Sequence, residues 1–233
     1  MLLILISGSI NDIESLGFFL LVSYPIMVLK LLLCFVIHEF AHAATAYLLG
    51  DHTQKIQGRL TLNPKKHLDW KGALFLLVVG FGWAKPVRYL PENLKNPKID
   101  SAITAFAGPA INFVFAFVLV LAGLLLYWLL PGNYTAILAF NFLAVFAALN
   151  VFVATFNMIP LHPLDGSKIV ALFMPSELFN KTAKWQTLAF FLIIILLIFG
   201  PLASLLISII DRVLMFMLDL AASLINILYS VVT

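Results

Sequence analysis

The sequence predicts an all-α polytopic membrane protein, because it is rich in apolar residues and poor in charge. Of its 233 residues, 63% are hydrophobic and 11% are charged, whereas soluble domains carry about 25% charged residues. Apolar runs of about 20 residues, the length that crosses the hydrocarbon core, recur along the chain. We therefore expect residues 1–233 to form a single membrane-embedded domain.

About five transmembrane helices are predicted from these runs, at 16–49, 101–130, 136–158, 185–209 and 213–232. Gly200-Pro201 is the expected kink in the fourth. Between the first two helices, Ala73–Phe81 is apolar but too short to span, so we interpret it as a re-entrant or interfacial segment. Its β-branched and aromatic residues favour a short β-hairpin over Ala73–Val87, whose edge could bind an unwound peptide strand. Met1–Ile10 lacks the basic region of a cleaved signal peptide.

The distribution of charge predicts the orientation in the cell membrane. The loop 51–100 holds nine of the fourteen basic residues, and such a loop is placed in the cytoplasm by the positive-inside rule. Because the net charge of +3 arises largely there, it encodes topology, and we expect a lipid bilayer rather than nucleic acid as the partner. Lys30 lies in mid-span, where it would snorkel or face a polar cavity.

The pentapeptide His38-Glu39-Phe40-Ala41-His42 lies inside the first predicted span. On a helix, His38 and His42 are one turn apart on the same face. The H-E-x-x-H pattern is typical of a zinc site whose Glu serves as general base. Ionisable residues inside an apolar span are costly and indicate function. The pattern predicts that Glu39 takes a proton from metal-bound water.

A catalytic zinc ion takes three protein ligands, so one more ligand is required. Asp165 follows the third predicted span within the run Asn157–Gly166, on the side assigned to the cytoplasm. His42 lies about 8 residues, roughly 12 Å, from the cytoplasmic end of the first span. Both candidates therefore approach the same leaflet. We predict Asp165 as the third ligand, with a helix N-cap as the alternative interpretation.

The sequence resembles the site-2 protease family of zinc intramembrane metalloproteases, most of all its short prokaryotic branch. The resemblance covers about residues 35–170 and rests on four groups of residues: the pentapeptide; Asn157 and Pro160 with Leu164-Asp165-Gly166; Gly58–Pro64 with His67 and Asp69; and Ala107-Gly108-Pro109 with Asn112. It implies one Zn²⁺ held by His38, His42 and Asp165, with Glu39 as base. It also implies hydrolysis of peptide bonds in or near transmembrane segments of membrane proteins. The PDZ and CBS domains of some relatives are not seen, so substrate selection is expected in the membrane core or in separate regulatory proteins.

Three polar residues have less certain roles. The resemblance assigns Asn157 to the active site, where it would orient substrate or stabilise an oxyanion; a bond to its own helix backbone is the equal alternative. Asn112 is expected to serve helix packing. His162 occupies a position where the family commonly has Pro; we interpret it first as a loop residue, with a partner of a ligand and an alternative ligand as the other interpretations.

Two other functions fit part of the pattern. A catalytically inactive pseudoprotease could bind membrane helices without cutting them, but it would not need Glu39. A cation transporter could use the buried His and Asp residues, but transporters often show internal repeats, and no repeat is visible here. The protease is the favoured interpretation.

Overall fold

The computed structural model describes residues 19–79, 82–198, 200 and 202–232. A π-helical turn, Phe19–Ser23, leads into the first helix. The helices are α1 Tyr24–Leu48, α2 Thr53–Ile56, α3 Pro64–His67, α4 Trp70–Val79, α5 Pro97–Leu129, α6 Tyr134–Asn157, α7 Asp165–Val170, α8 Ser176–Ile198 and α9 Ala203–Val232. The predicted absence of a signal peptide concerns Met1–Ile10, which lies outside the described residues.

Within the described part of the chain, three helices are long and apolar enough to cross a membrane. They cover Leu20–Leu48, Pro97–Leu129 and Tyr134–Asn157, with 29, 33 and 24 residues. Each exceeds the roughly 20 residues that span a hydrocarbon core. Their positions agree with the first three predicted spans, and they support the predicted membrane protein with a mostly helical fold.

The core lies where α5, α6 and α9 meet. Its buried residues are Ala116, Leu119, Val120, Ala147, Val151, Ile210, Met217 and Ala221. Small residues at such a contact let helix backbones approach closely. Cys34 of α1 is fully buried against Leu149 and Val153 of α6, and this contact brings the helix that carries the pentapeptide against the core.

The segment Trp70–Val79 forms α4, so the predicted β-hairpin is not formed there. The carboxylate of Asp69 accepts hydrogen bonds from the amides of Lys71 and Gly72, an N-cap that starts a helix. A short apolar run does not distinguish strand from helix by periodicity, which explains the error. The β-pairing found among the described residues is a single isolated bridge between Leu68 and Ala84. The re-entrant or interfacial interpretation remains compatible with a ten-residue helix.

The break between the last two helices also differs from the prediction. Residues 210–212, the gap between the fourth and fifth predicted spans, lie inside α9; α8 ends at Ile198 and α9 begins at Ala203. Gly200 has φ +104°, a value that favours glycine; Pro201 of the predicted kink lies outside the described residues. Asp211 and Arg212 are exposed, and the helix continues through them. The apolar part of α8, Lys184–Leu197, is too short to qualify as a span, so the predicted count of five is not confirmed.

Candidate metal centre

One helix, α1, and the N-terminus of α7 bring three potential ligands together. The Nε2 atoms of His38 and His42 each lie 3.0 Å from Oδ2 of Asp165. All three residues are buried, and they are the one group of this kind among the described residues. Asp165 is the first residue of α7, 123 positions after His42 in the chain. The structure thus unites the three predicted metal ligands.

The donor set fits a zinc ion. Nδ1 of His42 lies 2.7 Å from the carbonyl oxygen of Thr104, so this nitrogen carries the proton and Nε2 presents a lone pair. Nδ1 of His38 lies 3.1 Å from Oδ1 of Asn112 and is protonated in the same way. The Nε2 lone pairs of His38 and His42 then converge with a carboxylate oxygen of Asp165 in a buried place. Such a group of acceptors is favourable only when a cation lies among them. Zinc bonds of about 2.0–2.2 Å in a tetrahedron separate ligand atoms by about 3.3 Å, close to the 3.0 Å found here.

Two glycines make this convergence sterically possible. A Cβ atom on Gly108 of α5 would lie 2.5 Å from Cε1 and Nε2 of His42. A Cβ atom on Gly166 would collide with the carbonyl oxygens of Met158 and Ile159 at the end of α6. Gly108 therefore lets α5 approach the imidazole rings, and Gly166 lets the chain bring Asp165 close to the two histidines.

Glu39 lies beside this group and is not a member of it. Its Oε2 accepts a 2.7 Å hydrogen bond from the backbone amide of Val87. This arrangement leaves the carboxylate available for proton transfer and agrees with the predicted distinction between base and ligands. Val87 belongs to residues 82–90, a segment between α4 and α5 that contains no helix.

The basic loop holds Val87 in this position. Arg59 donates from one nitrogen to the carbonyl oxygens of Lys66 and Lys85, and Gln54 donates to the carbonyl of Arg88. The carboxylate of Asp51 accepts from the amide of Leu90 at 2.9 Å. Arg59, Gln54 and Asp51 therefore hold the segment that carries Val87 beside Glu39.

Burial and hydrogen bonding shift the pKa values of Asp51 and His67 in the loop. Burial alone would raise the pKa of Asp51, but hydrogen bonds from Asn93, Leu90 and Thr53 lower it to about 2. Burial lowers the pKa of His67, which is fully enclosed and bonded to the carbonyl of Thr61. The Asp51 carboxylate therefore stabilises the folded loop at neutral pH, whereas the His67 imidazole makes the folded loop less stable as the pH falls.

The other polar residues singled out by the sequence bond to groups outside the ligand set. The amide nitrogen of Asn157 donates to the carbonyl of Val153 in its own helix, which is the alternative that the sequence left open. His162 is exposed, and its backbone amide donates to Gln186; its side chain is not part of the ligand group. Lys30 donates to the carbonyl of Phe142 at 2.9 Å and lies over that residue's ring.

Asn112 and Asn150 were not predicted to serve the site. Asn112 does pack between helices, as expected, but it also contacts His38. Asn150 is fully buried and bonded to Asn112 at 3.0 Å. The available signal for Asn150 was an uncharged amide inside a largely apolar span, since membrane helices use such amides to bond to neighbouring helices.

Comparison with known proteins gives a consistent result. The family model described as Peptidase family M50 matches residues 26–132 and 125–200. The protein named "Putative zinc metalloprotease YwhC" of Bacillus subtilis strain 168 is 37% identical over 186 residues, which cover 77% of this chain and 83% of the relative. "Putative zinc metalloprotease Rip2" of Mycolicibacterium smegmatis is 28% identical over 197 residues, covering 82% and 72%. No solved structure matches the chain.

Proposed function

We propose that this chain, which belongs to Peptidase family M50, is a zinc metalloprotease that acts within the membrane. Its substrates would be other membrane proteins, cut in or near their transmembrane segments. The observation that carries the proposal is the convergence of His38, His42 and Asp165, with Glu39 beside them, on helices apolar enough to span a bilayer. Ionisable residues at such a place are costly and are kept for function.

These side chains have separate roles in peptide hydrolysis. His38, His42 and Asp165 would hold the zinc ion, which supplies a bound water with a pKa of about 7. Glu39 accepts a proton from the attacking water and then delivers it to the leaving amine, so that one peptide bond is exchanged for a carboxyl group and an amine. The amide of Val87, 2.7 Å from Oε2, fixes the orientation of the Glu39 carboxylate during this transfer.

The position of the site suggests how water reaches it. His42 lies six residues before the end of α1 at Leu48, roughly 9 Å along the helix. The irregular chain between Met158 and Leu164 lies next to Asp165, and such backbone occurs at membrane depth where it lines a wet cavity or is buried by protein. Since the neighbouring loop carries most of the basic residues, we place the site toward the cytoplasmic leaflet.

A cleavage assay with matched charge variants tests the proposal. The wild type, Glu39→Gln and Glu92→Gln are purified in detergent, loaded with zinc and incubated with a helical membrane substrate. Glu92 is an exposed loop carboxylate, so its variant controls for loss of one negative charge. We expect Glu39→Gln to keep its zinc and to lose about 10²–10⁴-fold in cleavage rate, while Glu92→Gln cleaves like the wild type.

The other outcomes separate the competing functions. Equal cleavage by Glu39→Gln and the wild type would overturn the mechanism. A wild-type protein that binds zinc and substrate but leaves every membrane substrate intact would instead be a pseudoprotease. Zinc or another cation crossing liposomes that contain the protein would indicate a transporter.

A further inference from the structure

We infer that Asn112 and Asn150 act together as positioning residues that set the tautomer and ring orientation of His38, and thereby the affinity for zinc. The inference rests on the proposed metal site. His38, Asn112 and Asn150 lie on α1, α5 and α6. Both asparagines are fully buried. Their side chains form a continuous line that starts at an imidazole ring and ends at a helix backbone.

The hydrogen bonds in this line run in one direction. Asn150 donates to the carbonyl oxygen of Phe146 at 3.0 Å, so its own Oδ1 faces Asn112. Asn112 donates to that oxygen at 3.0 Å and to the carbonyl of Cys34 at 3.4 Å. Its Oδ1 must then face Nδ1 of His38, at 3.1 Å. Rotating either amide by 180° would set acceptor against acceptor or donor against donor and leave buried oxygens unpaired, which is costly.

The consequence at His38 is a fixed tautomer. Because Oδ1 of Asn112 can only accept, Nδ1 of His38 holds the proton and Nε2 presents its lone pair to the ligand group. The second nitrogen of a metal-binding His commonly makes such a bond, which orients the ring and increases its basicity. Here the acceptor oxygen is itself oriented by a second amide.

The two histidines differ in how they are held. His42 bonds to the backbone carbonyl of Thr104 at 2.7 Å, an acceptor that no side-chain substitution removes. His38 depends on a side chain, so its orientation can be changed without touching a ligand. Zinc binding therefore distinguishes a positioning role from a packing role. An asparagine pair that only joined helices would not alter zinc binding in a folded protein.

Zinc affinity measured by chelator competition tests the inference. Asn112→Leu has nearly the same size but lacks the acceptor, and we expect it to bind zinc about 10–100-fold more weakly than the wild type. Asn112→Asp keeps an acceptor oxygen toward His38, and we expect it to restore most of the affinity. Asn150→Leu frees the Asn112 amide to rotate and should weaken zinc binding in the same direction.

The control and a second readout address structural damage. Thr155→Val on α6 removes a buried hydroxyl that has no partner among the described residues, and we expect wild-type affinity. Thermal unfolding in excess zinc reports whether each variant is folded. The visible spectrum of bound Co²⁺ should shift in Asn112→Leu, since it reports the ligand geometry, and should return toward the wild type in Asn112→Asp.

The possible results separate failure of this inference from failure of the metal site and of the proposed function. A folded Asn112→Leu with wild-type affinity and Co²⁺ spectrum would overturn the inference. If Asn112→Leu does not fold, Asn150→Leu decides in its place, and wild-type affinity there would overturn it as well. Absence of zinc binding in the wild type would instead overturn the metal site itself, and zinc binding without cleavage would overturn the proposed function alone.

Discussion

Gly108 offers a sharp test of the metal centre, because the substitution Gly108→Ala adds one carbon atom at the ligands. That Cβ would lie 2.5 Å from Nε2 of His42 and 2.7 Å from Cε1 of His38. Carbon atoms in contact are normally about 3.5–4.0 Å apart, so the overlap is about 1 Å. Gly108 lies inside α5, where Ala is favoured over Gly by about 1 kcal/mol. The helix itself should therefore tolerate the change.

The size of the effect follows from this overlap. Either ring must move by about 1 Å, whereas metal–ligand distances tolerate only about ±0.2 Å. We expect zinc affinity to fall by about 10–100-fold, as when residues that orient ligands are removed. Displacement of catalytic groups by about 1 Å can cost 10²-fold in rate, so cleavage at saturating zinc should fall by a similar factor.

The assay compares Gly108→Ala with Gly123→Ala on the same helix. At Gly123 the nearest atom to a new Cβ is Cδ2 of Phe140, at 3.2 Å, and this ring lies away from the ligands. Zinc affinity is measured by chelator competition and cleavage with a helical substrate, with thermal unfolding as a check. We expect Gly123→Ala to match the wild type in zinc binding and cleavage. If Gly108→Ala did the same, the ligand geometry described here would be refuted.

Two further predictions concern the third ligand and the basic loop. Asp165→Ala should lose bound zinc while His162→Ala keeps it, as measured by metal analysis of the purified proteins; the reverse would identify His162 as the ligand. Burial lowers the pKa of His67 below its unfolded value of about 6.5, so below about pH 6.5 the unfolded chain binds a proton that the folded one does not. The thermal midpoint should therefore fall on acidification from neutral pH, and it should fall less in His67→Gln; equal slopes would contradict the assignment.

Much of the site could be predicted from local sequence. The spacing of His38 and His42 is a property of the helix alone, and the long apolar runs fixed the first three spans by length. Asp165 could be added because charge placed two distant segments at the same leaflet. The first three spans agree with the structure because they depended on bilayer thickness rather than on particular tertiary contacts.

The errors arose where tertiary contacts decide the outcome. The α4 run is apolar enough for either a strand or a helix, and the helix is favoured by the Asp69 cap and by contact with α1, where the Tyr24 hydroxyl donates to the carbonyls of Leu76 and Leu77. The role of Asn112 depends on His38, 74 positions away. Neither the pairing nor the direction of its amide is visible in the sequence.

The direction of α9 bears on topology. The rings of Trp128 and Tyr229 are 5.8 Å apart, and these residues lie near the C-terminal ends of α5 and α9. The two helices therefore run in the same direction and end at the same side of the bundle. If the basic loop is cytoplasmic, α5 ends at the outer face, and so does α9. Five alternating spans would instead put the C-terminal end of the last span in the cytoplasm.

Cysteine labelling can decide between these topologies. The single native cysteine, Cys34, is fully buried, so its background labelling should be low. Tyr134→Cys reports the α5–α6 turn, Ser230→Cys reports the end of α9, and Lys66→Cys reports the basic loop; all three positions are exposed. With a membrane-impermeant maleimide on intact cells, we expect the first two to be labelled and the third only after lysis. If Tyr134→Cys is labelled on intact cells and Ser230→Cys is not, α9 ends at the cytoplasmic face. The pairing of α5 with α9 described here would then not hold in the membrane.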